Sequence, residues 1–276
     1  EEWLKNAWPY LSFLSLKASY SLTADRGPAS VTNSRVVIKS SNLWKPSAGD
    51  QESALYVADL ENGELTYEKK HELNIGAAFG FFDNRINIEA DWYKRNNYDL
   101  IGPVTTQGIG GQVTKFGNVA SMESSGFELT LSTVNINKKN FKWTTDFIYS
   151  HAENRVTDLD NQQRVIDLVA GTGFALEGYP VRSVFSIPYR GLNSEGIPTF
   201  LDQNGEVTST GIYFQERDKI DFLEYSGTAD PTDFGSFGNT FSFYGFKVNV
   251  FFTYSFGNVV RMDPVFKSSY SDLTAM

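Results

Sequence analysis

Glu89 and Asp91 stand two residues apart, a spacing that puts both carboxylates on one face of a β-strand, where a carboxylate pair could do acid–base work. Opposite them the pattern sets glycine and alanine, so the pair reads better as the lining of a wet surface than as a catalytic dyad. The two histidines, His71 and His151, are far apart in sequence, and neither has metal-ligand spacing to another histidine. His71 falls on an apolar strand face near its end and reads as an interfacial residue. Gly108-Ile109-Gly110-Gly111 lacks the strand-to-helix setting of a phosphate-binding loop and reads as a flexible connection. Asp202-Gln203-Asn204-Gly205 looks like part of a calcium loop, but no glutamate follows at the closing position, and it reads as a turn. The chain has no cysteine, which removes disulfides and thiolate metal sites. No catalytic constellation emerges, and no metal or cofactor is expected.

The elements that carry these residues are strands. In the segment around 70–94, Leu73, Ile75, Ala77, Phe79 and Phe81 alternate with Glu72, Asn74, Gly76, Ala78 and Gly80. After Asp83-Asn84 the parity switches: Ile86, Ile88, Ala90 and Trp92 alternate with Arg85, Asn87, Glu89 and Asp91. Asp83-Asn84 tolerates the positive φ angles of a two-residue hairpin turn. That turn would pair Phe81 with Ile86, Phe79 with Ile88, Ala77 with Ala90 and Ile75 with Trp92, which gathers every apolar side chain on one face. The other face pairs Gly80 with Asn87, Ala78 with Glu89 and Gly76 with Asp91. One greasy and one wet face over about ten residues is what a membrane-spanning barrel strand needs.

The pattern recurs at Phe127, Leu129 and Leu131, and at Phe141, Trp143, Phe147 and Tyr149, with a polar linker around Asn135 to Asn140 between the two runs. It recurs again at Phe241 and Phe243, then from Phe246 to Phe256 after a turn at Tyr244-Gly245, with Phe251 as the exception. Near the start, Leu14, Leu16, Ala18, Tyr20 and Leu22 follow the same rule. Aromatics make up 15% of the 276 residues, which suits β-structure. No apolar run is long enough for a helix to cross a bilayer, which takes about 20 residues. The net charge of −9 argues against nucleic-acid binding, which needs clustered Lys and Arg. Connections within hairpins are short, whereas those between them, about 24–69, 101–117 and 157–236, are long. Outer-membrane barrels put short turns on the periplasmic side and long loops outside, and that assignment lets seven strands alternate direction without contradiction. A soluble β-sandwich alternates in the same way; strand length, aromatic density and the one-sided long loops favour the barrel. Seven strands with two unpaired edges cannot close in lipid, so the 276 residues are expected to be one region of a longer, truncated chain.

Several stretches resemble the C-terminal half of SusC/RagA-type TonB-dependent transporters. Leu65-Thr66-Tyr67-Glu68-Lys69-Lys70 followed by Glu72-Leu73-Asn74-Ile75-Gly76 is similar to the family's approach to a barrel strand, with Tyr67 where proline is usual. Gly80-Phe81-Phe82-Asp83-Asn84-Arg85 resembles its hairpin turn, and Asp91-Trp92-Tyr93-Lys94-Arg95 with Asp99-Leu100-Ile101 the next strand. Asn118-Val119-Ala120 with Gly126-Phe127-Glu128-Leu129 looks like a further family stretch, with Ser124 and Ser125 in place of the second asparagine and its neighbour. Phe141-Lys142-Trp143 continues it. Gly191-Leu192-Asn193, Gly196-Ile197-Pro198, Asp202-Gln203-Asn204-Gly205 and Gly235-Ser236-Phe237-Gly238-Asn239-Thr240 are similar to the loop and strand that follow.

The resemblance implies an all-β fold, part of a large antiparallel transmembrane β-barrel in the outer membrane of a Gram-negative bacterium. It implies import of an oligosaccharide or peptide gripped outside by a SusD-like lipoprotein and powered through TonB. The plug, the TonB box and the N-terminal domain that the family carries are not found in these residues, nor is its final aromatic-terminated strand. On this reading Asn87, Glu89, Asp91 and Glu128 face the lumen, and Phe79, Phe81, Ile86, Ile88 and Trp92 face lipid. Tyr179, Phe185, Tyr189 and Tyr213 lie in the longest loop, where they could stack on a sugar or pack the loop. The alternative is a non-transporting barrel or a surface module that displays its loops for binding or adhesion.

Overall fold

The computed structural model describes residues 8–27, 35–44, 51–59, 61–105, 108, 114–160 and 163–262. The chain is divided by its packing into two units. The first is dominated by a seven-stranded antiparallel sheet, built from β1 (Leu11–Asp25), β4 (Glu68–Phe81), β5 (Ile86–Thr105), β6 (Thr114–Lys138), β7 (Phe141–Leu159), β13 (Asp233–Phe243) and β14 (Phe246–Phe256). They lie side by side in that order, each hydrogen-bonded to its neighbours. A two-stranded ribbon, β2 (Val37–Trp44) paired with β3 (Gln51–Asp59), forms within the segment read as the first long connection. Among the described residues no helix is long and apolar enough to cross a membrane.

The first hairpin has the register that parity and turn chemistry dictate. Phe81 faces Ile86, Phe79 faces Ile88, Ala77 faces Ala90 and Ile75 faces Trp92. Asp83 and Asn84 both take positive φ, and Phe82 joins them; Arg85 N–H donates to the Phe82 carbonyl and closes the turn. Asn84 and Asp83 accept this backbone because a short polar side chain tolerates the left-handed region.

The strands run further than the alternation does. β5 has 20 residues, β6 has 25 and β7 has 19, about twice what a tilted membrane strand requires. β5 and β6 reach well into the segment 101–117, and β7 runs to Leu159. Alternation reports a change of solvent between the two faces, whereas the hydrogen-bonded ladder persists where both faces are wet. The β6–β7 connection is tighter than the polar linker suggested. β6 continues to Lys138, a bulge between Val134 and Ile136 absorbs Asn135, and only Lys139 and Asn140 form the turn.

The second unit comprises residues 163–176, 181–231 and 257–262 of the described chain. It holds a one-turn helix α1 (Val165–Val169), a ribbon of β8 (Ser183–Ser186) with β12 (Glu224–Thr228), and a three-stranded meander of β9 (Tyr189–Leu192), β10 (Pro198–Leu201) and β11 (Val207–Thr208). Val165, Leu168, Val184 and Phe185 are buried at its centre. Asp167 closes the start of the helix by accepting the Arg164 backbone N–H at 3.1 Å and the Arg164 guanidinium at 2.7 and 2.9 Å. Those bonds hold the Asp167 carboxyl below the usual carboxylate range.

The two faces of the wall as a candidate functional site

Cross-strand pairing decides which side chains share a face. Asn87 is opposite Gly80 and Ser132, Glu89 opposite Ala78 and Thr130, and Asp91 opposite Gly76 and Glu128. Asn87, Glu89, Asp91 and Glu128 therefore occupy one face, together with Lys17, which is opposite Gly76. Lys17 Nζ lies 2.7 Å from Glu89 and 3.1 Å from Asp91. It reaches them from β1 across the whole width of β4, and it can do so because Gly76 has no side chain: a Cβ there would overlap the Asp91 carboxylate and the Lys17 stem. Asn87 donates to the Asn84 carbonyl at 2.8 Å and so braces the turn. Among the described residues Glu128 makes no ion pair.

Further along the same face, the Tyr93 ring lies over Gly126, where an added Cβ would come within 2.6 Å of the ring. The Arg95 guanidinium lies 5.2 Å from the centre of that ring and pairs with Glu72 at 3.0 Å, which Lys70 also meets at 3.1 Å. Ser132 donates to Asp146 at 2.8 Å. The face is thus a lattice of charges whose long side chains lie over glycines. Glu72, Glu89 and Asp91 are each tied to a cation.

The opposite face is apolar through most of its height. Leu14, Leu16, Phe79, Ile88, Leu131 and Phe147 lie on it, and on β13 and β14 Phe237 is opposite Phe252. Trp143 stacks on Phe241 at 5.6 Å. On β5, β6, β7 and β13 one row ends this band, whereas on β1 and β4 the face goes on with Tyr20, Leu22 and Leu73. Ile75, Trp92, Phe127, His151 and Asp233 lie in transverse register, and beyond them the same face carries Lys94, Ser125 and Glu153. Lys94 meets Glu123 there at 3.6 Å. His151 donates from Nδ1 to the Asp233 carboxylate at 2.9 Å, and Tyr149 donates to the same carboxylate at 2.6 Å. His71 lies 3.0 Å from the Tyr20 hydroxyl.

Lower on the apolar face runs a polar ladder. Thr133 donates to Asn135 at 2.9 Å, and Asn135 to Thr145 at 2.6 Å. Thr145 and the Trp143 indole N–H both donate to the Asn239 side-chain oxygen, at 2.7 and 2.9 Å. Asn135 sits at the bulge and links Thr133 of β6 to Thr145 of β7.

The four loop aromatics do not form one cluster. Tyr179 belongs to the first unit, in the segment whose backbone pairs with Val156. Phe185 is 3% exposed in the core of the second unit and packs on Tyr225 at 5.6 Å. Tyr189 and Tyr213, 56% and 57% exposed, present their rings to solvent, Tyr189 edge-on to Phe200 at 5.9 Å. Asp202 takes backbone N–H groups of Asn204 and Glu206 at 2.9 and 2.8 Å, which occupies the carboxylate as a turn brace. Among the described residues no cluster of metal-ligating side chains occurs. Sequence reading missed Lys17 as the hub of the charged face; its distance from Glu89 along the chain left no local signal.

No protein-family profile matches the chain. Among curated proteins it is 26% identical over 261 residues to TonB-dependent receptor P3 of Formosa agariphila, covering 88% of this chain and 26% of that protein. TonB-dependent receptor P26 of the same organism is 27% identical over 163 residues, covering 58% and 16%. The chain therefore spans about a quarter or less of the length of these relatives. In structure it matches the RagAB peptide transporter with a TM-score of 0.73 at 24% identity, covering 92% of this chain and 28% of that one. The RagAB peptide importer in its 'open-open' state matches with a TM-score of 0.71 at 23% identity. The chain is a partial match to TonB-dependent receptors, and its fold is that of a stretch of a TonB-dependent transporter barrel. These relatives are named as TonB-dependent receptors, and the matching structure as a peptide transporter.

Proposed function

We propose that this chain, a partial match to TonB-dependent receptors, forms an arc of the wall of an outer-membrane importer. The single observation that carries the reading is the seven-stranded sheet with a broad apolar, aromatic band on one face and charged residues on the other. In water the apolar face would be an exposed patch of a size that drives aggregation; in a bilayer it is the lipid side, and the charged face is the lumen. The two outer strands, β1 and β14, each have one neighbour among the described residues, so further strands must close the wall in hydrocarbon. Asn87, Glu89, Asp91 and Glu128 then line the lumen. The short turns at 82–85, 139–140 and 244–245 lie at the periplasmic end, and the connections about 24–69, 101–117 and 157–236 lie outside. Exposed Tyr189 and Tyr213 are the loop rings available to a cargo or a lid.

The cargo class is an oligosaccharide or a peptide, passed in with a SusD-like lipoprotein over the outer end and TonB acting through a plug. The test is uptake. Cells deleted for the full-length gene are supplied in turn with fluorescent oligosaccharide and peptide pools, with and without TonB. Loss of TonB-dependent uptake of one pool, restored by the intact gene, supports the proposal and names the cargo class. Unchanged uptake of every pool, with the protein present at the surface, overturns transport in favour of a barrel that only displays its loops.

A further inference from the structure

The short-turn end of β6, β7, β13 and β14 carries a charge pattern unlike the rest of the chain. The chain as a whole is acidic, with 33 Asp and Glu against 24 Lys and Arg. Yet no acidic residue occurs between Thr133 and Thr145 or between Phe234 and Met262, whereas Lys138, Lys139, Lys142 and Lys247 fall in those stretches. Strand pairing gathers them at one end of the sheet but on both of its faces. Lys142 and Lys247 flank Ser242 on the charged face, whereas Lys138, opposite Phe141, is on the apolar face next to the Lys139 turn. Among the described residues none of the four makes an ion pair. With the β13–β14 turn they line a concavity of about 420 Å³.

Beside the lysines lies an aromatic row. Phe141, Phe243 and Phe246 are in transverse register on the apolar face, and Phe243 lies 5.8 Å from Phe246. Four cations next to three rings suit a ligand that is anionic at its head and hydrocarbon below it. An acidic peptide would meet the lysines but leave the rings unused. Lysine stems can reach from either face to one plane at the end of a sheet, and phosphate is a good acceptor for ammonium groups gathered in that way.

We infer that this tip is a binding site for the phosphate headgroup of an anionic glycerophospholipid, with the acyl chains lying against Phe141, Phe243 and Phe246. The inference rests on the reading of the sheet as a membrane wall. It is tested on the full-length protein in a zwitterionic detergent, loaded with phosphatidylglycerol or phosphatidylcholine, with retained lipid counted by native mass spectrometry. Phosphatidylglycerol is retained in preference, and replacing all four lysines by glutamine abolishes the preference while arginine at the same positions restores it. Each lysine removed lowers the affinity by about fivefold. Where the fourfold variant fails to assemble, Lys138→Gln with Lys139→Gln gives the same comparison, with a loss of about 25-fold. Undiminished phosphatidylglycerol binding by an assembled variant overturns the site. So does displacement of the lipid by inorganic phosphate at equal concentration, or by polyglutamate, which would assign the lysines to a free anion or to a protein partner. A protein that inserts into bilayers but ignores the headgroup sinks this inference alone; one that never inserts sinks the membrane reading as well.

Discussion

Substitution of Gly76 by alanine sets two effects of opposite sign against each other. In a strand interior glycine is worse than alanine by about 0.5–1 kcal/mol, because it loses more backbone freedom on folding. At this position the methyl would overlap both the Asp91 carboxylate and the Lys17 stem, and forcing an extra carbon into an occupied space costs about 1–3 kcal/mol. Gly76→Ala is therefore expected to destabilise by about 1 kcal/mol. Lys17→Ala removes two ion pairs whose lysine is half exposed, so solvent screening keeps its own cost small. Together the two changes should cost less than their sum, because the alanine methyl then meets only Asp91. The expected coupling is about 1 kcal/mol, within the range for residues in contact. Urea unfolding of the full-length protein in detergent micelles, followed by heat modifiability on gels, measures all four corners of the cycle. Additivity within about 0.5 kcal/mol, or a Gly76→Ala protein more stable than the parent, would refute the view that Gly76 exists to let Lys17 cross β4.

Ile88→Arg, on the apolar face, should impair assembly by about 2–4 kcal/mol if that position sits at mid-bilayer; a normal yield of heat-modifiable protein would contradict the assignment of faces. Asp167→Asn should weaken α1 at neutral pH but not in strong acid. The folded carboxyl is depressed by Arg164, so its contribution is complete above the unfolded value of about 3.9 and is lost as pH falls through the lower folded value; amide exchange in 165–169 for parent and variant reads this directly, and an acid-independent difference would exclude the ion pair as its cause. The 276-residue piece expressed alone should aggregate rather than refold, because both outer strands would leave unpaired backbone groups in lipid; a monodisperse, protease-resistant monomer in detergent would point to a small closed barrel. Protease added to intact cells should cut within 157–236 unless a lid covers it, and cleavage from the periplasmic side alone would reverse the topology.

The register of the β4–β5 hairpin was legible because three independent signals agree there: period-two alternation, a parity switch, and an Asp-Asn pair suited to positive φ. The other five sheet strands were legible from alternation, helped by the Tyr244-Gly245 turn at the last pair. The upper halves of β5, β6 and β7 were not, since residues such as Arg95, Asn96, Asn97 and Glu123 are polar on both faces and leave no alternation to read. The bulge at Asn135 hid inside a polar run that resembles a loop. Helix α1 is too short to show a 3.6-residue period, and the paired strands of the second unit, β8 with β12 and β9 with β10, are four or five residues long. The four carboxylate and amide positions on the charged face followed from parity alone, whereas Lys17 could be joined to them only through the β1–β4 pairing, which no local motif encodes.

The polar ladder from Thr133 to Asn239 has a consequence for how the sheet finds its pairing. Its donors and acceptors come from three strands, β6, β7 and β13, and they meet only when all three are aligned as observed. A slip of two residues by any one strand would preserve the greasy-out, wet-in alternation, so the hydrophobic pattern by itself cannot reject it. With the apolar face turned to lipid as proposed, the slipped sheet would, however, strand an asparagine amide or an indole N–H against hydrocarbon, each at a cost of several kcal/mol. A handful of hydrogen bonds on the side that should be driest thus acts as a proofreading device, which discriminates between alignments that grease alone would treat as equal.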